Sequence, residues 1–313
     1  MIDYTNYFFV MGTIVRQDRY FWIFLLAGIF LGACFPFLFK GYDFLVLYII
    51  MAIMCILFLK VDIIDVVTHV KRPILLIYIS TLKLIILPFI IYFCFRSFDT
   101  NTLMAFVLFA ALPAGVSSAA FTDIMKGRTS LSLTTIICTN LICIFTIPLV
   151  FFILFNQQMD MDYMGLFLNL SQLIVIPFII AKFLKHFVLR NLNQKLQKHY
   201  NLMIIGLLTF MIMISISFQI EYILQTWHVH IKILGFLFLE FILFQLIGYF
   251  SVFWQSKGEK IAASNSFMIM NNILGIVLAL AFFNVEVLSI VILSLIPWNV
   301  MIIGKHWYKR YLP

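Results

Sequence analysis

Long apolar runs recur from one end of the chain to the other, and this pattern constrains the fold more than any other feature. Hydrophobic residues make up 64% of the 313 residues and charged residues only 11%. A water-soluble domain needs far more polar surface, so the composition indicates an integral membrane protein throughout. A run of about 17–25 apolar residues can cross a bilayer as a helix. We count ten such runs, at about residues 20–39, 44–60, 74–95, 102–126, 130–155, 163–188, 201–221, 231–254, 261–283 and 286–305.

The fourth run contains the most unusual stretch of the sequence, LFAALPAGVSSAAFTDIMKGRTSLSLTT at residues 108–135. Pro113 lacks an amide donor and clashes with the preceding turn, so a helix must break or kink there. The small residues from Ala114 to Ser118 allow another backbone or a ligand to approach closely. Irregular backbone inside a membrane is tolerated only where protein buries it or where it lines a cavity. This break is therefore the first candidate for a functional site.

Lysine and arginine are distributed unevenly among the connections between the runs. If the N-terminus is cytoplasmic, 17 of the 21 lie in cytoplasmic segments, three (Lys40, Arg96 and Lys232) lie outside, and Lys83 lies within a run. Such a bias orients membrane proteins, so we expect both termini in the cytoplasm. The net charge of +8 is thus a topology signal and does not indicate nucleic-acid binding. We expect the membrane to be a bacterial inner membrane.

A second interruption lies in the ninth run, where Asn271 and Asn272 stand among apolar residues. Shifting the chain by 157 positions brings Pro113 next to these asparagines, places Lys83 on Glu240 and aligns the starts of the fifth and tenth runs. Because each half has five runs, an odd number, the two halves would have opposite orientations in the membrane. Inverted repeats with paired discontinuous helices are a common design of secondary transporters.

The most polar connection, residues 191–200, lies near the midpoint of the chain. It divides the chain into residues 1–190, which hold helices 1–5 and the sixth helix, and residues 191–313. The sixth helix already belongs to the second half, and residues 191–313 hold the remainder of that half.

Each break also has a purely structural explanation. Pro113 could kink a helix that packs against its neighbours, and the two asparagines could join helices through hydrogen bonds. Two breaks at equivalent positions favour a functional site over these explanations. The helix that begins after the first break presents free amides and a partial positive charge, which favour an anion.

Lys83 and Glu240 are charged residues inside apolar runs. A charge in a membrane is costly and usually faces a cavity or a partner. The two residues could form a structural ion pair, or they could act as a proton-linked switch, because a buried lysine can lose its proton. The sequence leaves both possibilities open. Asp123, near the end of the short helix after the first break, is expected to pair with Lys126 or Arg128.

The sequence disfavours metal sites and catalysis. The five cysteines are scattered through apolar runs without a CxxC pair, and we interpret them as small core residues. No histidine falls in the middle of a run. Because no nucleophile with a base and no metal-ligand set lies at one depth, we do not expect an enzyme.

The first break resembles a known family. The segment LPAGVSSA from Leu112 to Ala119, the Lys126-Gly127 turn and the segment LSLT at residues 131–134 resemble the fourth and fifth helices of the bile acid:sodium symporter family. There, Pro-Gly-Gly is followed by Ser-Asn, a Lys-Gly turn and Leu-Ser-x-Thr. The segment Met-Asn-Asn at residues 270–272 is similar to that family's Met-Gln-Asn in the ninth helix.

The resemblance implies an all-α membrane fold of ten helices in two inverted five-helix repeats. Helices 4 and 9 would be discontinuous and would cross. Helices 1, 2, 6 and 7 would form a panel, and helices 3, 4, 5, 8, 9 and 10 a core. Transport would follow from rocking one bundle against the other, which gives alternating access.

The resemblance further implies that a small or amphipathic organic anion lies against the two breaks, between core and panel. The protein's other expected partner is the lipid bilayer, and the oligomeric state is left open. Lys83 and Glu240 are the expected coupling or charged residues. The expected substrate-binding residues are Pro113, Ala114, Gly115, Val116, Ser117, Ser118, Asn271, Asn272 and Asn299.

The chain departs from that family at the sodium-site positions. Phe267 stands where the family has an acidic ligand, Ala119 replaces an asparagine and Ile136 replaces a threonine, while Lys83 replaces a glutamine. The residues that remain of the implied ligand set are Ser118, Ser132 and Asn272.

An ammonium group at the sodium site would repel sodium. We therefore expect no metal ion and no other cofactor. Lys83 would supply the positive charge that sodium supplies elsewhere. Transport would then be independent of sodium and would occur by proton coupling, exchange or facilitated diffusion.

Two other functions remain open. One is a non-transporting membrane receptor or sensor on the same fold, and the other is a conventional sodium-coupled symporter that uses the remaining ligands. An arsenite efflux carrier of similar architecture is disfavoured, because no cysteine lies at the break in the fourth run.

Overall fold

The computed structural model describes residues 24, 27–42, 44–60, 73–115, 117–156, 162–188 and 193–308. Within these ranges the protein is helical and forms no β-strand. A π-helical turn at Leu82–Ile86 interrupts the third helix. The helices are α1 (residues 27–34), α2 (Phe44–Lys60), α3 (Pro73–Phe95), α4 (Thr100–Ala111), α5 (Ser117–Ile124), α6 (Thr129–Phe155), α7 (Tyr163–Phe187), α8 (Asn193–Gln225), α9 (Trp227–Phe250), α10 (Lys257–Met268), α11 (Asn272–Phe282), α12 (Val285–Leu293) and α13 (Leu295–Tyr308).

Five helical segments are long and apolar enough to cross a membrane, namely α3, α6, α7, α9 and Val285–Ile302. Each begins and ends within a few residues of a predicted run, so these five predictions are confirmed. The first predicted run begins outside the described residues, and ten spans in total stay a prediction. Shorter apolar helices lie at Phe44–Leu59, Thr100–Ala111, Leu202–Phe218 and Asn272–Phe282.

The chain divides into two compact units. The first unit comprises residues 1–62 and 172–224, and the second unit comprises residues 63–171 and 225–313. In the first unit, Gly28 and Gly32 let α1 approach α8 closely, since a Cβ on Gly32 would lie 2.6 Å from the carbonyl oxygen of Met213. Small residues four positions apart lie on one helix face and allow such contact between membrane helices.

In the second unit, side-chain caps fix where α4 and α10 begin. The carboxylate of Asp99 accepts a hydrogen bond from the amide of Thr102 at 2.9 Å, and Ser256 forms a capping box with Glu259. These caps satisfy amides that the first helical turn leaves without a partner. Both helices are 12 residues long and end at the predicted breaks.

The predicted pairing of Asp123 with Lys126 or Arg128 is wrong. Asp123 accepts a hydrogen bond from the hydroxyl of Thr129 at 3.2 Å, whereas Arg128 pairs with Glu259. The Glu259 side chain is 3% exposed, so its carboxylate needs a charged donor more than the half-buried Asp123 does. The sequence alone does not indicate this ion pair, because Arg128 and Glu259 are 131 positions apart.

Because α1 and α8 approach closely, we predict that substitution of Gly32 destabilises the protein more than substitution of Gly206. We expect Gly32→Leu to lower the free energy of unfolding by about 1–3 kcal/mol, because the new side chain overlaps backbone. Gly206→Leu is the control, since a Cβ on Gly206 would meet no atom within 4 Å. Thermal unfolding of the purified protein in detergent measures both, and equal unfolding temperatures would contradict the described packing.

Candidate functional site

The two breaks predicted from the sequence are present, and they meet in the second unit. Non-helical backbone follows α4 and separates α10 from α11, and Ala114 and Met270 of these two segments form an isolated antiparallel β-bridge. We call residues 112–115 and 269–271 together the crossing. The N-termini of α5 and α11 both lie next to the crossing.

Backbone hydrogen bonds hold the crossing together. The amide of Gly115 donates to the carbonyl of Ile269 at 2.8 Å, and the amide of Asn271 donates to the carbonyl of Pro113 at 2.9 Å. These groups lie outside the helices, and buried backbone groups without a partner would be costly. Glycine is required at 115 because a Cβ would lie 2.5 Å from the carbonyl oxygen of Met270.

Two side chains of α6 complete the hydrogen bonding of the crossing. The hydroxyl of Thr139 accepts from the amide of Ala114 at 3.1 Å, and the amide of Asn140 donates to the carbonyl of Ala114 at 3.0 Å. Asn140 also accepts from the side chain of Asn271 at 3.2 Å. Neither Thr139 nor Asn140 is among the site residues predicted from the sequence. The available signal was the presence of two adjacent polar residues inside an apolar run.

The adjacent asparagines of the second break have different surroundings. The Asn271 side chain caps α11 by accepting from the amide of Leu274 at 3.3 Å. The Asn272 side chain is buried, and neither its oxygen nor its nitrogen has a hydrogen-bond partner among the described residues. Because buried amides are normally paired, the side chain of Asn272, the residue directly after the crossing, is available to a ligand.

The remaining predicted substrate-binding residues are only partly brought together. Ser118 is buried at the start of α5, and its hydroxyl lies 3.2 Å from that of Ser132. Ser117, next to it, is half-buried. Asn299 lies on α13, where its amide donates to the carbonyl of Leu295, and no described hydrogen bond links it to the crossing. Val116 lies outside the described residues.

Apolar side chains fill two positions at which the resemblance implies sodium ligands. Ala119 and Ile136 are buried in one small cluster with Ala114, and Leu133 packs against it. Sodium in proteins is held by oxygen ligands, and the methyl groups of this cluster offer none. Within the described residues, no group of three or more histidine, cysteine, aspartate or glutamate side chains could hold a metal ion either.

The ammonium of Lys83 reaches the C-terminal end of α10. Its side chain is fully buried, and Nζ donates to the carbonyl of Phe267 at 3.1 Å. Nζ also lies 5.6 Å from the centre of the Phe267 ring. The carbonyl end of a helix and the face of an aromatic ring both attract a cation. Lys83 therefore contacts the backbone and the ring of Phe267, the position at which the resemblance implies an acidic ligand.

Lys83 and Glu240 form no ion pair in the part of the chain that the structure describes, so the ion-pair interpretation is wrong for this conformation. Glu240 is fully buried, and neither carboxylate oxygen has a hydrogen-bond partner among the described residues. Lys83 thus has partners in the described part of the chain, whereas the carboxyl group of Glu240 has none.

Comparison with models of protein families gives a match to the sodium bile acid symporter family over residues 46–226, which is more than half of the chain. The matched region contains Lys83, the first break and α6. A comparison with individual curated proteins found no match. The apolar helices and the matched region together lead to one conclusion: the chain is an integral membrane protein and belongs to the sodium bile acid symporter family.

Proposed function

We propose that this protein is a secondary transporter of a small or amphipathic organic anion and that it works without sodium. Membership of a transporter family supports transport in general. The observation that carries sodium independence is the contact between the Lys83 ammonium and the Phe267 carbonyl, 3.1 Å apart. In this proposal a covalently attached cation takes the place of a bound metal cation.

Electrostatics and ligand chemistry both support the absence of sodium. Two unit charges 4 Å apart repel by about 4 kcal/mol at an effective dielectric constant of about 20. A sodium ion near Lys83 would therefore bind weakly. The oxygen ligands that could offset this repulsion are replaced by Ala119 and Ile136, which pack against each other.

The proposed architecture is ten helices in two inverted halves, with both termini in the cytoplasm of a bacterial cell. The positions of α4 and α10 support the inverted halves. The two helices start 157 positions apart (257 − 100) and also end 157 positions apart (268 − 111). This is the shift at which the two halves of the sequence align. The uneven distribution of lysine and arginine supports the orientation.

The proposed substrate site is the crossing with the first turns of α5 and α11. Helix N-termini attract anions, and the unpaired amide of Asn272 can donate a hydrogen bond to one. The fixed charge of Lys83 makes the surroundings of the crossing more positive. Alternating access would come from a rocking movement around this site. Of the expected contacts, Asn299 has the weakest support, because its amide bonds to its own helix.

We expect uptake to be independent of sodium. A thermal-shift screen of organic anions, beginning with taurocholate, identifies a probe, since a ligand at about 100 times its Kd stabilises the folded state by about 2.7 kcal/mol. Proteoliposomes should then take up that probe at equal rates in sodium and choline buffers. A steep sodium dependence would contradict the proposal and favour a conventional symporter. Binding without counterflow would favour a receptor.

We expect Lys83→Gln to weaken binding of the same anion about tenfold, which corresponds to about 1.4 kcal/mol, because the fixed positive charge is lost. Lys232→Gln is the matched control, since Lys232 is an exposed lysine at the start of α9. Isothermal titration of the purified variants measures the Kd. Equal affinity of Lys83→Gln and the control would show that the ammonium does not assist the anion.

The double variant Lys83→Gln/Phe267→Glu removes the ammonium and restores an acidic side chain at 267. We expect its unfolding temperature to rise on addition of sodium chloride relative to choline chloride, whereas that of the natural protein does not change. No sodium response in the double variant would argue that Lys83 and Phe267 do not occupy a former cation site.

A further inference from the structure

Glu240 lies on the buried face of α9. The buried residues of this helix recur every three or four positions, so the carboxyl group shares an interface with apolar side chains. Its exposure is 0%, and both oxygens lack a hydrogen-bond partner in the described part of the chain. The buried residues of α9 are His230, Ile233, Leu237, Glu240, Phe241, Phe244, Gly248 and Tyr249.

No described cation neutralises this carboxyl group. Lys83 is directed to Phe267, as described above. The helices α4, α10, α12 and α13 pack against α9, and α4 carries no charged residue. The Phe95 ring of α3, the helix that carries Lys83, also lies 6.4 Å from the Phe236 ring of α9. On α10, Glu259 pairs with Arg128, and the ammonium of Lys260 lies over the Tyr249 ring. On α12, the carboxylate of Glu286 accepts a hydrogen bond from the side chain of Asn101.

The other titratable groups of these helices do not bond to Glu240 either. His228 and Lys232 lie exposed at the start of α9, and His230 bonds to Thr226 and Ser289. Lys257 of α10 is exposed and forms no hydrogen bond to Glu240. The side chains of Lys305 and His306 on α13 lie outside the description.

An ionised carboxylate without donors would cost several kcal/mol in such surroundings, whereas a neutral carboxylic acid costs much less. Lys83 differs, because its carbonyl acceptor and aromatic ring both favour the charged form. Burial therefore favours the neutral, protonated form of Glu240, whereas the contacts of Lys83 favour its ammonium form.

The position of Glu240 links it to the crossing. Its neighbour Phe241 packs edge-on against Phe109 of α4, with ring centres 5.9 Å apart. Further along α9, a Cβ on Gly248 would lie 2.8 Å from the Cβ of Phe267. Because α9 contacts both helices that lead into the crossing, a movement of the crossing would also shift the residues that bury Glu240.

We propose that Glu240 is the proton-binding site through which this transporter couples anion movement to a proton gradient. The inference rests on the proposed function, since it names the coupling ion of that carrier. On one side of the membrane the Glu240 carboxylate takes a proton from a hydronium ion, so that a carboxyl O–H bond forms, an O–H bond of hydronium breaks and water is left. On the other side that bond breaks and water receives the proton. One proton moved with one monovalent anion makes the cycle electroneutral, and Lys83 keeps its charge throughout.

Infrared spectroscopy of the full-length protein in lipid vesicles tests the protonation state without any substrate. We expect the carbonyl stretch of a protonated carboxylic acid in neutral buffer to be weaker in Glu240→Gln than in the natural protein. The control is Glu221→Gln, which removes an exposed carboxylate that pairs with Lys40 at 3.0 Å and should leave the band unchanged. Identical bands in the natural protein and Glu240→Gln would overturn the proposal.

Transport tests the coupling, with taurocholate as the probe. At one proton per anion, a gradient of one pH unit supports about tenfold accumulation. We expect this accumulation for the natural protein and Glu221→Gln, none for Glu240→Gln, and partial accumulation for Glu240→Asp, which keeps a carboxyl group. Thermal unfolding verifies that each variant is folded.

The outcomes separate the two proposals. Gradient-driven accumulation by Glu240→Gln equal to that of the natural protein would overturn the role of Glu240. If no variant moves taurocholate, transport of this probe is refuted, and the infrared difference alone decides whether Glu240 binds the proton.

Discussion

The backbone hydrogen bonds of the crossing are the interaction on which the second unit depends. Two helices that stop inside an apolar environment leave amides and carbonyls without partners, and such groups are tolerated only when protein satisfies them. The hydrogen bonds from Gly115 to Ile269 and from Asn271 to Pro113 pair amides of each break with carbonyls of the other break. Thr139 and Asn140 satisfy the groups of Ala114 that remain, so α6 is fixed to the same point.

The placement of Lys83 has a consequence for coupling. A sodium ion can enter and leave its site, so its concentration gradient can drive transport. The Lys83 ammonium contacts the C-terminal end of α10 but is covalently attached, so it can supply charge and no driving force. In the proposed mechanism the driving ion must therefore bind elsewhere, and Glu240 is the buried acid without a partner in the described part of the same unit.

The sequence predicted the features that depend on neighbouring residues. The five long spans follow from unbroken apolar runs, and the break after α4 follows from Pro113, whose missing donor acts locally. Prediction from the sequence failed for interactions between residues that are far apart in the chain. Arg128 pairs with Glu259 rather than Asp123, and Lys83 is directed to a backbone carbonyl rather than Glu240. Thr139 and Asn140 were missed because a side chain that bonds to backbone leaves no pattern in the sequence of its partner.

The sequence by itself determined that this chain is a membrane protein. It also determined which residues form the long helices and at which residues two helices break, because hydrophobicity and proline chemistry act over one or two turns. The tertiary structure decided that the two breaks bond to each other, that the ammonium of residue 83 contacts α10 at 3.1 Å and that the acid of residue 240 is left without a partner. The physical reason is that hydrogen bonds and charges select partners by distance and geometry, and residues more than 150 positions apart acquire both only when the chain has folded.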